Sequence, residues 1–291
     1  MYGILNVNKP AGVTSRDVVN HVQRLVKPAK AGHAGTLDPL ARGVLIVCVG
    51  PATRLIEYVQ RMPKRYRGEF LLGRRSDSDD VEGTVEELAS PPAPAREAID
   101  AALPPLTGEV LQRPPVYSAI KVAGKRAYKL ARQGAEVELE PRPVTIHSLR
   151  VVAYDYPRLV LDIECGGGTY VRAIGRDLAE ALGTAAVMSA LERTAIGGFT
   201  VETALNPDDI TRENVQDVML PALTALGSMP TITLTTDEHV TLTNGQTIER
   251  ETETDVAEWA ALTTEGELAA ILISPQPGTL RAIRMLLPAQ R

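Results

Sequence analysis

The run VLIVCVG at 44–50 is apolar throughout and rich in β-branched residues, and the turn-forming stretch AGHAGTLDPLARG at 31–43 leads straight into it. A short apolar run bounded by glycine and proline reads as a buried strand, here over 44–49. The loop at 31–43 must therefore sit at the end of a core strand. Other segments fit around it. YGILNV at 2–7 reads as a strand, and NKPAG is a turn in which Pro10 fixes φ and Gly12 supplies conformational freedom. Thr14 followed by Asp17 marks a helix start, with Val18, Val22, Leu25 and Val26 on one face until Pro28. A short helix is expected over 53–60 and an extended segment over 64–72 (KRYRGEFLL). RRSDSDDVEG reads as a solvated polar loop and SPPAPAREA as a connection.

Further along, residues 125–133 resemble a short basic helix. VTIHSLRVVAY (144–154) and RLVLDIEC (158–165) alternate as a strand pair. A helix is expected from about 169 to 182, stopped by Gly183, with another near 185–193. PALTALGSMP (221–230) reads as a linker. Beyond it TITLT, NGQTI, ELAAILI and RAIRMLL suggest a small all-β unit. The chain has 291 residues, room for about two domains. Aromatics make up only 4%, so aliphatic side chains must fill the core. Strands and helices mix without a βαβ rhythm, which predicts an α+β fold with a mixed, mostly antiparallel sheet.

The net charge of −5 hides a strong asymmetry. Residues 1–75 carry 13 Lys and Arg against 4 Asp and Glu, and residues 113–134 carry 6 against none. The remainder has 12 basic and 32 acidic residues. A local basic surface is enough to bind phosphate and steer a polyanion, but it also fits a merely solvated face. No apolar run approaches the roughly 20 residues of a membrane span. The N-terminus shows no secretory pattern and Cys48 and Cys165 offer no disulfide framework, so a soluble cytoplasmic protein is expected.

Metal chemistry is poorly supplied, since His21, His33, His147 and His239 are scattered. There is no phosphate-binding P-loop, and GGGTYVRAIG places Val171 where a dinucleotide fingerprint needs its third glycine. No GxSxG elbow is present. The carboxylates of SDSDDVEG read better as a solvated loop than as a glycosidase pair. Two readings of Asp38 stay open on spacing alone. It is a turn aspartate bonding its own backbone, or a carboxylate projected from a rigid elbow that Gly32, Gly35, Gly43 and Pro39 shape.

At GHAGTLDPLARGVL the sequence resembles the catalytic motif of the TruB-type tRNA pseudouridine synthases, G-H-x-G-x-L-D-P-x-A-x-G. Other stretches resemble that family in order: GILNVNKPAGVTS (3–15), KRYRGEFLLG with SDSDDVEG (64–83), RPPVYSAIKVAGKRAYKLARQG (113–134), GGGTYVRAIGRDLAEALG (166–183) and LERTAIGGF (191–199). NGQTI, GELAAILI and LRAIRMLL resemble more weakly its C-terminal PUA domain, a small RNA-binding β-barrel. The resemblance implies a catalytic domain over 1–222 with an RNA-clasping insertion at 113–150, and a PUA-like domain over 230–291. It implies isomerisation of uridine 55 in the tRNA T arm, with no cofactor, no metal and no obligatory protein partner.

The resemblance also implies roles. Asp38 matches the essential aspartate, Arg172 its charge partner, and Tyr66 the tyrosine that stacks on the extruded uracil and assists loss of the C5 proton. His33 matches the histidine that fills the space left by the extruded base. Tyr170 and Leu191 match walls of the pocket, and Lys9 and Pro10 match a pair supporting the catalytic loop. Lys64, Arg113, Lys121, Lys125, Arg126, Lys129 and Arg132 are expected contacts to the RNA backbone. Three positions depart from the pattern: Ser76-Asp77-Ser78 for Thr-Asp-Thr, Gly166 for serine, and Glu192 for an arginine, which reverses a charge. A tRNA-binding module without catalysis and a guide-RNA-dependent subunit are the competing readings.

Overall fold

The computed structural model describes residues 1–118, 120–122, 125–127, 139–251 and 256–289. Its strands, in chain order, are β1 (Gly3–Lys9), β2 (Ala31–His33), β3 (Arg42–Val49), β4 (Lys64–Leu72), β5 (Arg74–Arg75), β6 (Glu86–Glu87), β7 (Gly108–Gln112), β8 (Lys121–Val122) and β9 (Lys125–Arg126). They continue with β10 (Arg142–Asp155), β11 (Arg158–Cys165), β12 (Ala186–Ile196), β13 (Phe199–Thr200), β14 (Thr231–Thr233), β15 (Ile248–Glu249), β16 (Trp259–Leu262), β17 (Leu268–Ile273) and β18 (Thr279–Met285). The helices are α1 (Ser15–Leu25), α2 (Ile56–Arg61), α3 (Arg96–Ala102), α4 (Val171–Ala181) and α5 (Thr236–Thr243).

The main sheet runs β1-β3-β12-β4-β11-β10-β7, with β2 paired to β3 and β13 to β12. Only β12 against β3 is parallel, at Glu192–Arg42 and Arg193–Gly43. This is the expected mixed, mostly antiparallel sheet. Local chemistry explains much of it. Thr14 and Asp17 form a reciprocal capping box that satisfies two backbone donors at the start of α1. The 144–154 and 158–165 runs pair as β10 and β11. Helix α4 ends at Ala181 with Leu182 as its C-cap, and Gly183 follows with φ +70°. At Gly175 a Cβ would lie 2.2 Å from the Phe70 ring, so glycine lets α4 settle onto β4.

Five expectations are corrected. Residues 186–196 are a strand, not a helix: β12 threads between β3 and β4. Register shifts at Met188/Ala190 and Arg193/Ala195 reset the alternation and disguise its period of two. The helix expected over 125–133 begins as strand β9, and residues 128–133 lie outside the described residues. Residues 142–150, placed in the 113–150 insertion, belong to β10 and pair with both β7 and β11.

The fourth correction concerns 221–230. It is not a free linker, because Ala222, Ala225 and Leu226 are buried in a short 3-10 turn. They join Ile4, Val44 and Ile46 of the main sheet to Ala260, Leu268, Ile271 and Leu286 of the C-terminal unit in one hydrophobic cluster. That unit is a five-stranded sheet, β14-β16-β17-β18-β15. It also carries α5, which the all-β expectation missed although Thr235 and Glu238 form a second capping box. Arg284 anchors it further, with Nη2 2.6 Å from Glu57 of α2 and the guanidinium 5.5 Å from the centre of the Tyr58 ring.

Candidate active site

Asp38 stands on the loop between β2 and β3, and buried polar groups fix that loop's backbone. Ser15 Oγ donates to Leu37 O at 3.0 Å and accepts from Leu37 N at 2.9 Å. Gly12 N donates to Pro39 O at 2.8 Å. Lys9 Nζ donates to Pro10 O (2.9 Å), Val13 O (2.7 Å) and Pro39 O (3.3 Å). Lys9 is fully buried, and burial pulls its ammonium down to about 8. Gly43 ends the loop at φ +100°, where a Cβ would stand 2.3 Å from the carbonyl oxygen of Arg193. Only glycine lets β3 and β12 approach there.

The Asp38 carboxylate does not fold back on its own turn. Its Oδ2 lies 3.1 Å from Arg172 Nε. Arg172 is the second residue of α4 and is 6% exposed. Nη1 reaches Asp80 Oδ2 at 3.2 Å and Ser78 O at 2.8 Å, and Nη2 reaches Tyr117 O at 3.0 Å. One guanidinium thus serves two carboxylates and two carbonyls, the strong kind of buried hydrogen bonding. Burial raises the Asp38 carboxyl above the usual aspartate range; Arg172 and, less strongly, Lys9 pull it back, while Asp80 pushes it further up.

Asp80 and its neighbours correct the expected solvated loop. Asp80 and Ser78 are buried, and Asp80 Oδ1 accepts from Ser78 Oγ at 2.6 Å and from Glu82 N at 3.0 Å. Polar composition marked this stretch as surface, but Ser78 O and Asp80 turn inward to Arg172 and Asp79 pairs with Arg176 at 2.9 Å.

Tyr66, on β4, is half-buried and faces the cleft with Tyr170, Leu191 and Asp38. Burial raises its phenol and the nearby Arg193 opposes the rise. Tyr170 is bracketed by Gln112, whose Oε1 accepts from Tyr170 N at 2.8 Å and whose Nε2 donates to Tyr170 O at 3.1 Å. The Arg142 guanidinium lies 5.1 Å from the centre of the Tyr170 ring. The cleft measures about 1500 Å³. That exceeds the ~300–1,000 Å³ of typical small-molecule pockets. Its lining includes Asp38 and Asp80, which pair with Arg172, together with Asp77 and Glu82, and also Arg61, Lys64, Arg142 and Arg193.

The remaining expected residues scatter. His33 lies half-buried on β2, outside the cleft lining. Pro10 is exposed and contributes its carbonyl to Lys9. Lys64 is not a surface side chain. It is buried, its ammonium donates to Gln60 O and to Met62 O (2.6 Å), and burial lowers it to about 8. Arg113 is exposed, with Nη2 3.9 Å from Glu180. Lys129 and Arg132 lie outside the described residues, as do the side chains of Lys121, Lys125 and Arg126. Glu192 pairs with Arg42 at 3.1 Å on the far side of β12 from the buried Arg193.

Sequence reasoning missed three groups: Ser15, Asp80 and Arg193. Arg193 is 2% exposed and donates from Nε to Val44 O at 2.7 Å and from Nη2 to Gly35 O at 3.2 Å. All three lie inside motifs already singled out, GVTS, SDSDDVEG and LERT. Their distance in sequence from Asp38 hid the connection. Among the described residues, no group of three or more His, Cys, Asp or Glu is placed to hold a metal ion.

The fold is that of the pseudouridine synthases. The crystal structure of a Cbf5-Nop10-Gar1 complex superimposes with a TM-score of 0.73 at 23% identity, covering 99% of this chain and 85% of that chain. The structure of an H/ACA RNP bound to a substrate RNA containing 2'-deoxyuridine also gives 0.73, at 20% identity, covering 99% and 86%. The profile of the TruB family pseudouridylate synthase N-terminal domain matches residues 23–171. The tRNA pseudouridine synthase B of Dehalococcoides mccartyi is 39% identical, over 99% of this chain and 97% of its own. That of Caulobacter sp. strain K31 is 44% identical over 84% of this chain and 81% of its own. The chain belongs to the TruB family of pseudouridylate synthases, and so to the isomerases. Among the described residues no helix is long and apolar enough to cross a membrane.

Proposed function

We propose that this enzyme isomerises uridine 55 in the T arm of tRNA to pseudouridine. The observation that carries the reading is the Asp38–Arg172 pair, 3.1 Å apart, in the lining of a cleft that also holds Tyr66. The relatives' names supply tRNA as the substrate. Uridine lies stacked within folded RNA, so the target is extruded into the cleft before reaction.

The glycosidic C1′–N1 bond then breaks. The detached uracil turns, and C5 forms the new bond to C1′. C5 gives up its proton and N1 gains one, so nothing is consumed. Asp38 acts ionised, either as nucleophile on the sugar or as the base that assists cleavage. Arg172 supports the charge in both roles: it lowers the cost of a buried anion and fixes which oxygen faces the substrate. Tyr66 stacks on the uracil and takes part in removal of the C5 proton. Tyr170 and Leu191 form the walls, Lys9 and Pro10 hold the loop, and His33 fills the gap in the RNA.

The basic 113–134 stretch, with Arg113 at its exposed start, clasps the T loop, and the 230–291 unit acts as a PUA-like RNA contact in a cytoplasmic enzyme. The test is release of tritium from C5 of uridine in an unmodified tRNA transcript. Wild type releases close to one equivalent per tRNA, and Asp38→Asn releases none while still binding. No release by wild type moves the non-catalytic and guide-dependent readings ahead.

A further inference from the structure

One polar group in the cleft has no role in the network around Arg172. Ser118 is 4% exposed, and its Oγ makes no hydrogen bond among the described residues although its backbone N donates to Val116 O at 2.9 Å. The residue lines the cleft. A buried hydroxyl without a partner is costly, so a fold keeps one only where something compensates. Ser118 is tied to the reacting region through its neighbour: Tyr117 O accepts from Arg172 Nη2, and Arg172 Nε pairs with Asp38. Tyr117 Oη in turn donates to Asp77 at 3.0 Å. The backbone before Ser118 is thus fixed by two charged groups, which sets the hydroxyl in place before any ligand arrives.

The geometry points to Ser118 as a binding residue for the extruded nucleotide, its Oγ hydrogen-bonding a neutral polar group of the uridine. The surroundings select that chemistry. Asp38, Asp77 and Asp80 crowd this part of the cleft. A phosphate is repelled there, whereas a hydroxyl or carbonyl is not. Two groups of a uridine fit: the ribose 2′-hydroxyl and a carbonyl of the uracil. Ser118 can donate to either. The inference rests on the uridine-isomerising reading of the site.

The experiment compares wild type with Ser118→Ala in tritium release, tRNA binding and thermal unfolding. The expected result is a roughly tenfold fall in kcat/KM, the size of one lost hydrogen bond of about 1.4 kcal/mol, with Tm unchanged or raised. A structural serine behaves the other way, since its removal breaks bonds that the free protein already makes. Unchanged kcat/KM overturns the inference. So does a lowered Tm beside the lost activity, because an unpartnered hydroxyl contributes nothing to the free fold. Binding of tRNA carrying 2′-deoxyuridine at the target locates the contact. If wild type and Ser118→Ala bind it equally, the contact is the 2′-hydroxyl; if the difference persists, it is the base. Failure of the parent reading is seen separately, as absence of release by wild type.

Discussion

Arg172 and Arg193 are both buried, both line the cleft, and both hold the loop that carries Asp38. Arg172 grips the loop by its functional carboxylate and a second carboxylate behind it, Asp80. Arg193 grips the same loop by its backbone at Gly35 O and the strand it leads into at Val44 O, and no carboxylate pairs with it among the described residues. The first arrangement sets an ionisation state. The second sets a position while keeping a positive charge near Tyr66, where it opposes the rise that burial causes in the phenol. One loop therefore has its charge and its place governed by separate side chains, on α4 and β12.

The largest expected effect breaks the Arg172 half of this division. Arg172→Ala strands the Asp80 carboxylate, 3% exposed, and removes the main group lowering Asp38. Losing one partner of a buried pair costs about 3–5 kcal/mol of stability, and separately the loss of the group that keeps Asp38 ionised should lower turnover about 10³-fold, ~4 kcal/mol of barrier. Near-normal tritium release would end the argument that Arg172 keeps Asp38 charged. Arg172→Lys sharpens the point without emptying the site. Burial already raises Asp38, so activity is present above that raised value and is lost as pH falls through it. A lysine cannot serve both carboxylates as the planar guanidinium does, and moves the acid limb of kcat further up.

Arg193→Met gives the contrast, with a smaller effect. Arg193 does not act on the Asp38 carboxyl, so the acid limb should stay in place. Two hydrogen bonds from a charged donor disappear, but so does a buried cation, and the net loss of stability should be about 2 kcal/mol. Tyr66 loses its nearby positive charge, and removal of the C5 proton slows. The check is a larger tritium isotope effect than wild type shows. A shifted acid limb would mean that charge and position are not separately governed.

Ser15→Ala loosens position alone. Its hydroxyl both donates to and accepts from the Leu37 backbone, one residue from Asp38, and is 2% exposed. Removing it leaves a buried N–H and C=O unpaired, for a loss of about 2 kcal/mol in denaturant unfolding. The catalytic rate should fall without a change in its pH dependence, since no charged group is touched.

How far this site was legible in the sequence follows from the range over which each signal acts. The capping pair Thr14 and Asp17 lies within one helical turn, and the β10–β11 hairpin closes over a two-residue gap, so both were readable. The motif around Asp38 marked a loop, but spacing alone favoured a turn aspartate. Its pairing with Arg172 is a contact across most of the catalytic unit, and only the family resemblance reached it. Asp80 was lost because a polar run reads as surface unless its distant partner is known. β12 was lost because its two bulges break the period of two, and its neighbours β3 and β4 are far away in the chain. The 221–230 segment looked like a linker because alanine and leucine at short spacing do not reveal which surface will cover them.

The smallest expected effect tests whether the brace extends to the start of α1. Thr14 accepts from Asp17 N at 3.1 Å and Asp17 returns a bond to Thr14 N at 2.9 Å. Thr14→Ala removes one half of this box and should cost about 1 kcal/mol of stability. The next residue is Ser15, which holds Leu37, so a frayed first turn frees that contact as well. Two outcomes are distinguishable by hydrogen exchange at Leu37 N. If its protection is unchanged while global stability drops, the cap serves the helix alone, and Lys9 and Gly12 suffice to hold Pro39. If protection falls with stability, the order of the catalytic loop begins at a threonine that touches neither arginine, and the positional half of the comparison is wider than Arg193.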